Sequence, residues 1–362
     1  MPDNDKNAFQ TAWLSARKRM IIVGQHAPDA HLSKLLEQLA LQKNTVVLTE
    51  TTSNMNFPCF TNAIDQVLTQ ITAEKEHEFF PDVVLTFGGH IVSKKIKAWL
   101  RNSTYFQHFN ISPDYQAPDT FLHLSKHLRC QTADVLKIAI EGPSAEEDFI
   151  RNWQQITMKA KTIHQEFMET IPYSDFRVFR ELHASLTTKT QLHFANSTSI
   201  RYSQFFDFDR HIIDGNRGVS GIDGSTSTAL GQSLHFEGQT ILVTGDLSFF
   251  YDINALWNNY LHSNFKILLI NNSGGGIFRF LDGPLKSGQI DLFETPHNRT
   301  AQHLAQDAGM KYLYCREASN LSTKIHELIE SSQSTILEVF TPRQVNDVVL
   351  NDYFRFLRNS TL

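Results

Sequence analysis

Short runs of apolar, largely β-branched residues recur along the chain with room for one helix between them, and no other feature restricts the fold as much. Arg19–Gly24 (RMIIVG), Thr45–Leu48 (TVVL) and Asp82–Phe87 (DVVLTF) come first. Near-continuous apolar runs predict strands covered on both faces, as in parallel sheets flanked by helices. The segments around Leu32–Leu41 and Ser93–Leu100 carry helical periodicity and fill the gaps. Glu141-Gly142-Pro143 then interrupts the pattern. Ser144 and Glu147 predict a capping box opening a helix to about Thr170, where Ile171-Pro172 stops it. Beyond it the alternation restarts, with strands expected at Gln191–Ala195, His211–Ile213, Thr240–Thr244, Lys266–Ile270, Tyr312–Cys315 and Thr335–Phe340. Helices are expected at Ser322–Glu330 and Val345–Leu357. The reading is α/β, with two Rossmann-like three-layer domains and mostly parallel sheets. Residues 1–143 would form the first domain, 144–171 a linking helix and 172–362 the second domain.

A chain of 362 residues suits two domains rather than one core. Its 33 basic and 38 acidic side chains give a net charge of −5, no basis for a nucleic-acid or anionic-membrane partner. No apolar run is long enough to span a bilayer, and no signal segment opens the sequence. Cys59, Cys130 and Cys315 are scattered and odd in number, which favours idle thiols in a reducing compartment over a zinc site. The cytoplasm is the expected address. Neither half shows a G-x-G-x-x-G turn after a strand, so a dinucleotide dehydrogenase is disfavoured.

Two strand ends carry chemistry. Gly245-Asp246-Leu247-Ser248 follows ILVT, and Asn271-Asn272-Ser273-Gly274-Gly275-Gly276 follows KILLI. Each places polar groups and free backbone N–H groups beside a helix N-terminus, a natural seat for phosphate. A carboxylate and a carboxamide are hard oxygen ligands suited to Mg²⁺ on a diphosphate. Each piece also has a plainer reading: Asp246 or Ser248 as a helix cap, and NNSGGG as a flexible turn. Their separation of 26 positions (246 to 272) is what strand, crossover helix and next strand require, so both ends can meet on one sheet edge.

Gly-Asp followed by Asn-Asn at this separation resembles the diphosphate and magnesium fingerprint of the thiamine-diphosphate enzymes, with Leu247 where a further glycine is usual. Asn216-Arg217-Gly218-Val219-Ser220-Gly221-Ile222-Asp223-Gly224, Ser227-Thr228-Ala229, Tyr251-Asp252-Ile253-Asn254-Ala255-Leu256 and Gly275-Gly276-Ile277-Phe278 narrow the match. They are similar to the branch that makes 2-succinyl-5-enolpyruvyl-6-hydroxy-3-cyclohexene-1-carboxylate in menaquinone biosynthesis. The resemblance is dense from Gln191 to Leu281 and weaker before it. It makes the second domain a diphosphate-binding domain and the first a middle domain.

The resemblance implies thiamine diphosphate with Mg²⁺ (or Mn²⁺) as cofactors. Asp246 and Asn272 would hold the metal through side chains and Gly274 through its carbonyl. Gly245, Leu247 and Ser248 would meet the diphosphate, Ile222 would support the thiazolium, and Ile277 would lie beside it. The implied reaction decarboxylates 2-oxoglutarate and adds the succinyl carbanion to isochorismate. Both substrates are dianions, and Arg201 and Arg217 match positions near their carboxylates, where arginine binds in bidentate fashion. A surface ion pair is the alternative for either arginine. Ser197 is matched to a substrate contact or a helix cap, and Ile277, Phe278 and Leu281 to an apolar pocket wall or ordinary core. Lys94 and Lys95 resemble a basic pair reaching the substrate, with a solvated helix start as the alternative.

Members of that branch begin with a further α/β domain, whose glutamate protonates the aminopyrimidine. No acidic residue here takes that catalytic role. The expectation is a fragment that lacks turnover alone and binds the cofactor weakly, and a homodimer or homotetramer when complete. Two rival readings stand beside it: a non-catalytic binding or regulatory module on the same fold, and another thiamine-diphosphate decarboxylase or carboligase.

Overall fold

The apolar runs form two separate, wholly parallel sheets in the computed structural model, which describes residues 1–103, 105–114 and 117–360. The first sheet contains β1 (Arg19–Val23), β2 (Val46–Thr49), β3 (Val83–Phe87), β4 (Gln107–Ile111) and β5 (Leu124–Leu128), in the order β2-β1-β3-β4-β5. Every residue of β1, β2 and β3 is buried, as strands covered by helices on both faces must be. The second sheet contains β6 (Gln191–Phe194), β7 (Ile212–Asp214), β8 (Thr240–Gly245), β9 (Phe265–Asn271), β10 (Lys311–Cys315) and β11 (Thr335–Phe340). Its order is β10-β11-β9-β8-β6-β7. The α/β expectation with mostly parallel sheets therefore holds.

The chain divides into two compact units, Met1–His164 with the residues from Leu357, and Gln165–Phe356. The core of the first gathers Phe9, Trp13, Met20, Ile22, Leu36, Val84 and Trp153. In the second, an aromatic cluster of Phe176, Tyr202, Phe205 and Tyr353, with ring centroids 5.0–6.3 Å apart, packs beside an aliphatic core around Leu242, Ile267 and Ile336. Among the described residues no helix is long and apolar enough to cross a membrane.

The structure corrects or extends the sequence reading in three places. The long helix spans Glu147–Thr170, and Ser144 does not open it: its hydroxyl donates to the Gln42 carbonyl at 2.8 Å. β4 and β5 were not expected, because QHFNI and LSKHL lack an apolar run. In β4, His108 and Asn110 bond the Thr86 hydroxyl at 2.8 and 2.9 Å. The polar opening also forms a helix, Asp3–Ser15, which buries Phe9, Ala12 and Trp13 at helical spacing.

In the second sheet β6, β8 and β9 lie side by side. Chain direction across the sheet reverses between β6 and β8, and parallel α/β sheets take ligands at the carboxyl ends of strands at such a switch point.

Candidate functional site

Residues after β8 and β9 converge at the carboxyl edge of the second sheet, beside that switch point. Register pairs Gly245 with Ile270, so Asp246, first residue of the helix Asp246–Tyr251, stands beside the Asn271-Asn272 step. The Asp246 carboxylate is buried. One oxygen accepts the Leu247 N–H at 2.7 Å, and the other accepts the Gly274 N–H at 2.9 Å. The second oxygen also lies 3.3 Å from His297 Nε2. His297 Nδ1 accepts the Arg299 N–H at 3.1 Å, which fixes the ring beside Asp246.

Asn272 is buried alongside, its amide nitrogen donating to Asp175 at 2.8 Å. Burial, with the Asp246 charge adding to it, pushes the Asp175 carboxyl up to about 6. Among the described residues no group of three His, Cys, Asp or Glu side chains could hold a metal. A cation at this edge would depend on the Asp246 carboxylate, a carboxamide oxygen and backbone carbonyls, a hard-oxygen set matched to Mg²⁺. Gly245 leaves the space before the helix open, since a Cβ there would meet nothing within 4 Å. The residues present fit a magnesium diphosphate.

The glycine-rich segment is held in a strained path. Ser273 has φ 66° and Gly274 φ 150°, and a Cβ on Gly274 would sit 2.6 Å from the Glu294 carbonyl oxygen. Backbone bonds lace it to the chain beyond: Gly275 N–H to Glu294 O at 2.7 Å and His297 N–H to Ser273 O at 3.2 Å. The Glu294 carboxylate is buried between Arg279 and Arg343, bonded at 2.9 Å to each. Gly274→Ala is expected to cost about 1–3 kcal/mol through the forced backbone shift. A lowered urea midpoint at unchanged m-value would register it.

A second loop closes the site from β6 and β7. Asn196 is its hub: the amide nitrogen donates to the Asn216 and Gly221 carbonyls at 2.5 and 2.6 Å, and the side-chain oxygen accepts from Arg217 at 2.6 Å. Arg217 is buried, so a surface ion pair does not describe it. The Ser248 hydroxyl donates to the Ile222 carbonyl at 2.7 Å, tying this loop to the first turn after β8. Ser197 occupies the N-cap position of the helix Thr198–Ser203 but makes no side-chain cap bond, and Arg201 donates to its carbonyl.

Ser197, Ser220 and Ser273 all have positive φ without being glycine. Such strain costs about 1–3 kcal/mol per residue and collects at functional sites. Ile277 and Phe278 lie in a 3-10 turn, Gly276–Phe280, with no buried residue, and Leu281 follows it, half-buried. Fully buried core is therefore the wrong description for these three. The Phe278 ring and Leu247 both flank Gly275, lying 3.1 and 3.4 Å from where its Cβ would be.

Lys94 and Lys95 belong to the first compact unit. Lys94 is exposed at the start of the helix Lys94–Arg101, while Lys95 donates to the Thr69 hydroxyl at 2.6 Å. Ser93 caps this helix, and the buried Glu50 carboxylate receives the Val92 and Ser93 N–H groups, each at 2.7 Å. Burial nevertheless pushes the Glu50 carboxyl up to about 7. The folded state thus keeps a proton that the unfolded chain releases near the ordinary carboxylate value. The stabilisation from Glu50 is complete below that value and declines as pH rises to about 7, by an amount on the order of 3 kcal/mol. Glu50→Gln should flatten this part of the stability–pH profile from chemical denaturation.

Sequence reasoning missed Asp175, Asn196, Glu294 and His297. Asn196 alone left a local signal, at a strand end beside the matched serine. The other three act through contacts that only the fold creates.

Residues 4–194 match the family described as "Middle domain of thiamine pyrophosphate", and residues 196–339 that described as "Thiamine pyrophosphate enzyme, C-terminal TPP binding domain" (thiamine pyrophosphate is thiamine diphosphate). Three relatives are named 2-succinyl-5-enolpyruvyl-6-hydroxy-3-cyclohexene-1-carboxylate synthase. That of Flavobacterium psychrophilum is 40% identical, over 98% of this chain and 65% of the relative. Those of Christiangramia forsetii and Flavobacterium johnsoniae are each 41% identical, over 97% and 98% of this chain and 62% and 64% of the relative. The chain thus spans somewhat less than two thirds of these relatives' length. Two family matches in tandem, over the two parallel sheets and the Asp246–Asn272 edge, make this chain a member of the thiamine-pyrophosphate enzymes, homologous to the 2-succinyl-5-enolpyruvyl-6-hydroxy-3-cyclohexene-1-carboxylate synthases.

Proposed function

We propose that the chain provides the cofactor-holding part of a 2-succinyl-5-enolpyruvyl-6-hydroxy-3-cyclohexene-1-carboxylate synthase acting in menaquinone biosynthesis in the cytoplasm. The observation carrying this reading is the meeting of Asp246 and Asn272 at neighbouring strand ends, with the Gly274 N–H bonded to Asp246. Asp246, Asn272 and the Gly274 carbonyl hold Mg²⁺, for which Mn²⁺ substitutes. Gly245, Leu247 and Ser248 face the diphosphate, while Ile222 and Ile277 support the thiazolium. Thiamine diphosphate, when bound, supplies the electron sink for decarboxylation.

The chain's own groups bind and orient the substrates. Arg201 and Arg217 neutralise the carboxylates of 2-oxoglutarate and isochorismate, with Ser197 as a hydrogen-bonding partner. Phe278 and Leu281 form an apolar wall that keeps water from the reacting carbon. A domain of the kind that completes the relatives supplies the glutamate for cofactor activation, and the complete enzyme is a homodimer or homotetramer.

The test is carbon dioxide release from 2-oxoglutarate with isochorismate, thiamine diphosphate and Mg²⁺, in the chain joined to such a domain. Isochorismate-dependent release with 2-oxoglutarate but not pyruvate supports the reading. Equal use of pyruvate favours a general carboligase.

A further inference from the structure

We propose that Asp175 is a positioning residue that orients the Asn272 carboxamide so that its oxygen, not its nitrogen, faces the cation. This rests on the functional reading above. An amide presents a donor and an acceptor of nearly equal size, and only the acceptor can ligate a metal. Both Asp175 side-chain oxygens act as acceptors here, one for the Asn272 nitrogen and one for the Thr341 hydroxyl. Asp175 therefore draws the Asn272 nitrogen to itself, at 2.8 Å, and leaves the oxygen for the other side.

Asp175 is itself fixed. Its second oxygen accepts the Thr341 hydroxyl at 2.5 Å, and its backbone N–H donates to the Asn346 side-chain oxygen at 2.8 Å. The Asn346 amide nitrogen donates in turn to the Pro342 carbonyl at 3.2 Å, and the Thr341 N–H to the Asn271 carbonyl at 3.1 Å. All of these side chains are buried, so water does not compete for them. Outer partners of metal ligands typically govern about 10–100-fold in metal affinity.

The experiment titrates thiamine diphosphate by calorimetry, at stepped Mg²⁺ concentrations, into the full chain joined to a domain of the kind that completes the relatives. Asp175→Ala is expected to raise the Mg²⁺ needed for half-maximal binding by about 10–100-fold, with cofactor affinity at saturating Mg²⁺ nearly preserved. Asp175→Asn, which retains an acceptor oxygen, should restore most of the loss. A role in folding alone would lower the melting temperature and leave the Mg²⁺ requirement of the folded molecules unchanged. A folded Asp175→Ala protein with native Mg²⁺ dependence overturns the proposal. If that variant does not fold, Thr341→Val decides, since it frees Asp175 to rotate: a raised Mg²⁺ requirement supports the proposal and an unchanged one overturns it. No binding at any Mg²⁺ concentration by the native chain joined to the completing domain defeats the functional reading, and this inference with it. Native binding with unresponsive variants defeats the inference alone.

Discussion

Asp246→Ala is expected to remove magnesium-dependent thiamine diphosphate binding, weakening it by at least about 100-fold, since one charged ligand of a hard cation is lost outright. Asp246 is a buried carboxylate bonded to the Gly274 N–H, and Asn272 contributes no charge to replace it. The fold should survive. Losing the carboxylate leaves the Leu247 and Gly274 N–H groups unpaired, but it also relieves the repulsion that raises Asp175. Calorimetry shows the loss, and a retained unfolding transition shows it to be local. Binding within about threefold of native would place the cation elsewhere.

Glu294→Ala is expected to cost about 3 kcal/mol, because it removes the buried carboxylate shared by Arg279 and Arg343 and leaves Arg343 with its bond to Asp291. Glu294 is only 1% exposed, while Arg279 and Arg343 are largely covered by the same contact. Its backbone carbonyl also receives the Gly275 N–H, so the loss should loosen the segment carrying Gly274. Denaturant unfolding should show the midpoint falling, and the variant should bind thiamine diphosphate less tightly than its stability alone requires. A change below about 1 kcal/mol would mean that the arginines find other partners at little cost.

The contrast between these residues shows what a sequence exposes. Asp246 and Asn272 were legible because a strand, a crossover and a strand fix their separation, and because the residues flanking each sit in one short segment. Glu294 was not. It lies in FETPHN, without a recognisable pattern, and its partners stand 15 and 49 positions away. Asp175 is farther removed, bonded across 97 positions to Asn272 and 166 to Thr341.

The fold divides in the same way. β1, β3, β8 and β9 read directly from their apolar runs. β4 and β5 did not, since QHFNI and LSKHL mix polar with apolar residues, and in β4 His108 and Asn110 turn to the Thr86 hydroxyl. The helix Asp3–Ser15 was readable in principle. Phe9, Ala12 and Trp13 mark one face, but the charged opening masks it.

A cation held jointly by the ends of β8 and β9 would be visible to anomalous diffraction. Crystals grown with thiamine diphosphate and Mn²⁺ should show one strong manganese peak, bonded to a carboxylate oxygen of Asp246, the side-chain oxygen of Asn272 and the carbonyl of Gly274. A peak elsewhere, or manganese facing the Asn272 nitrogen, would mean that these strand ends do not hold the cation.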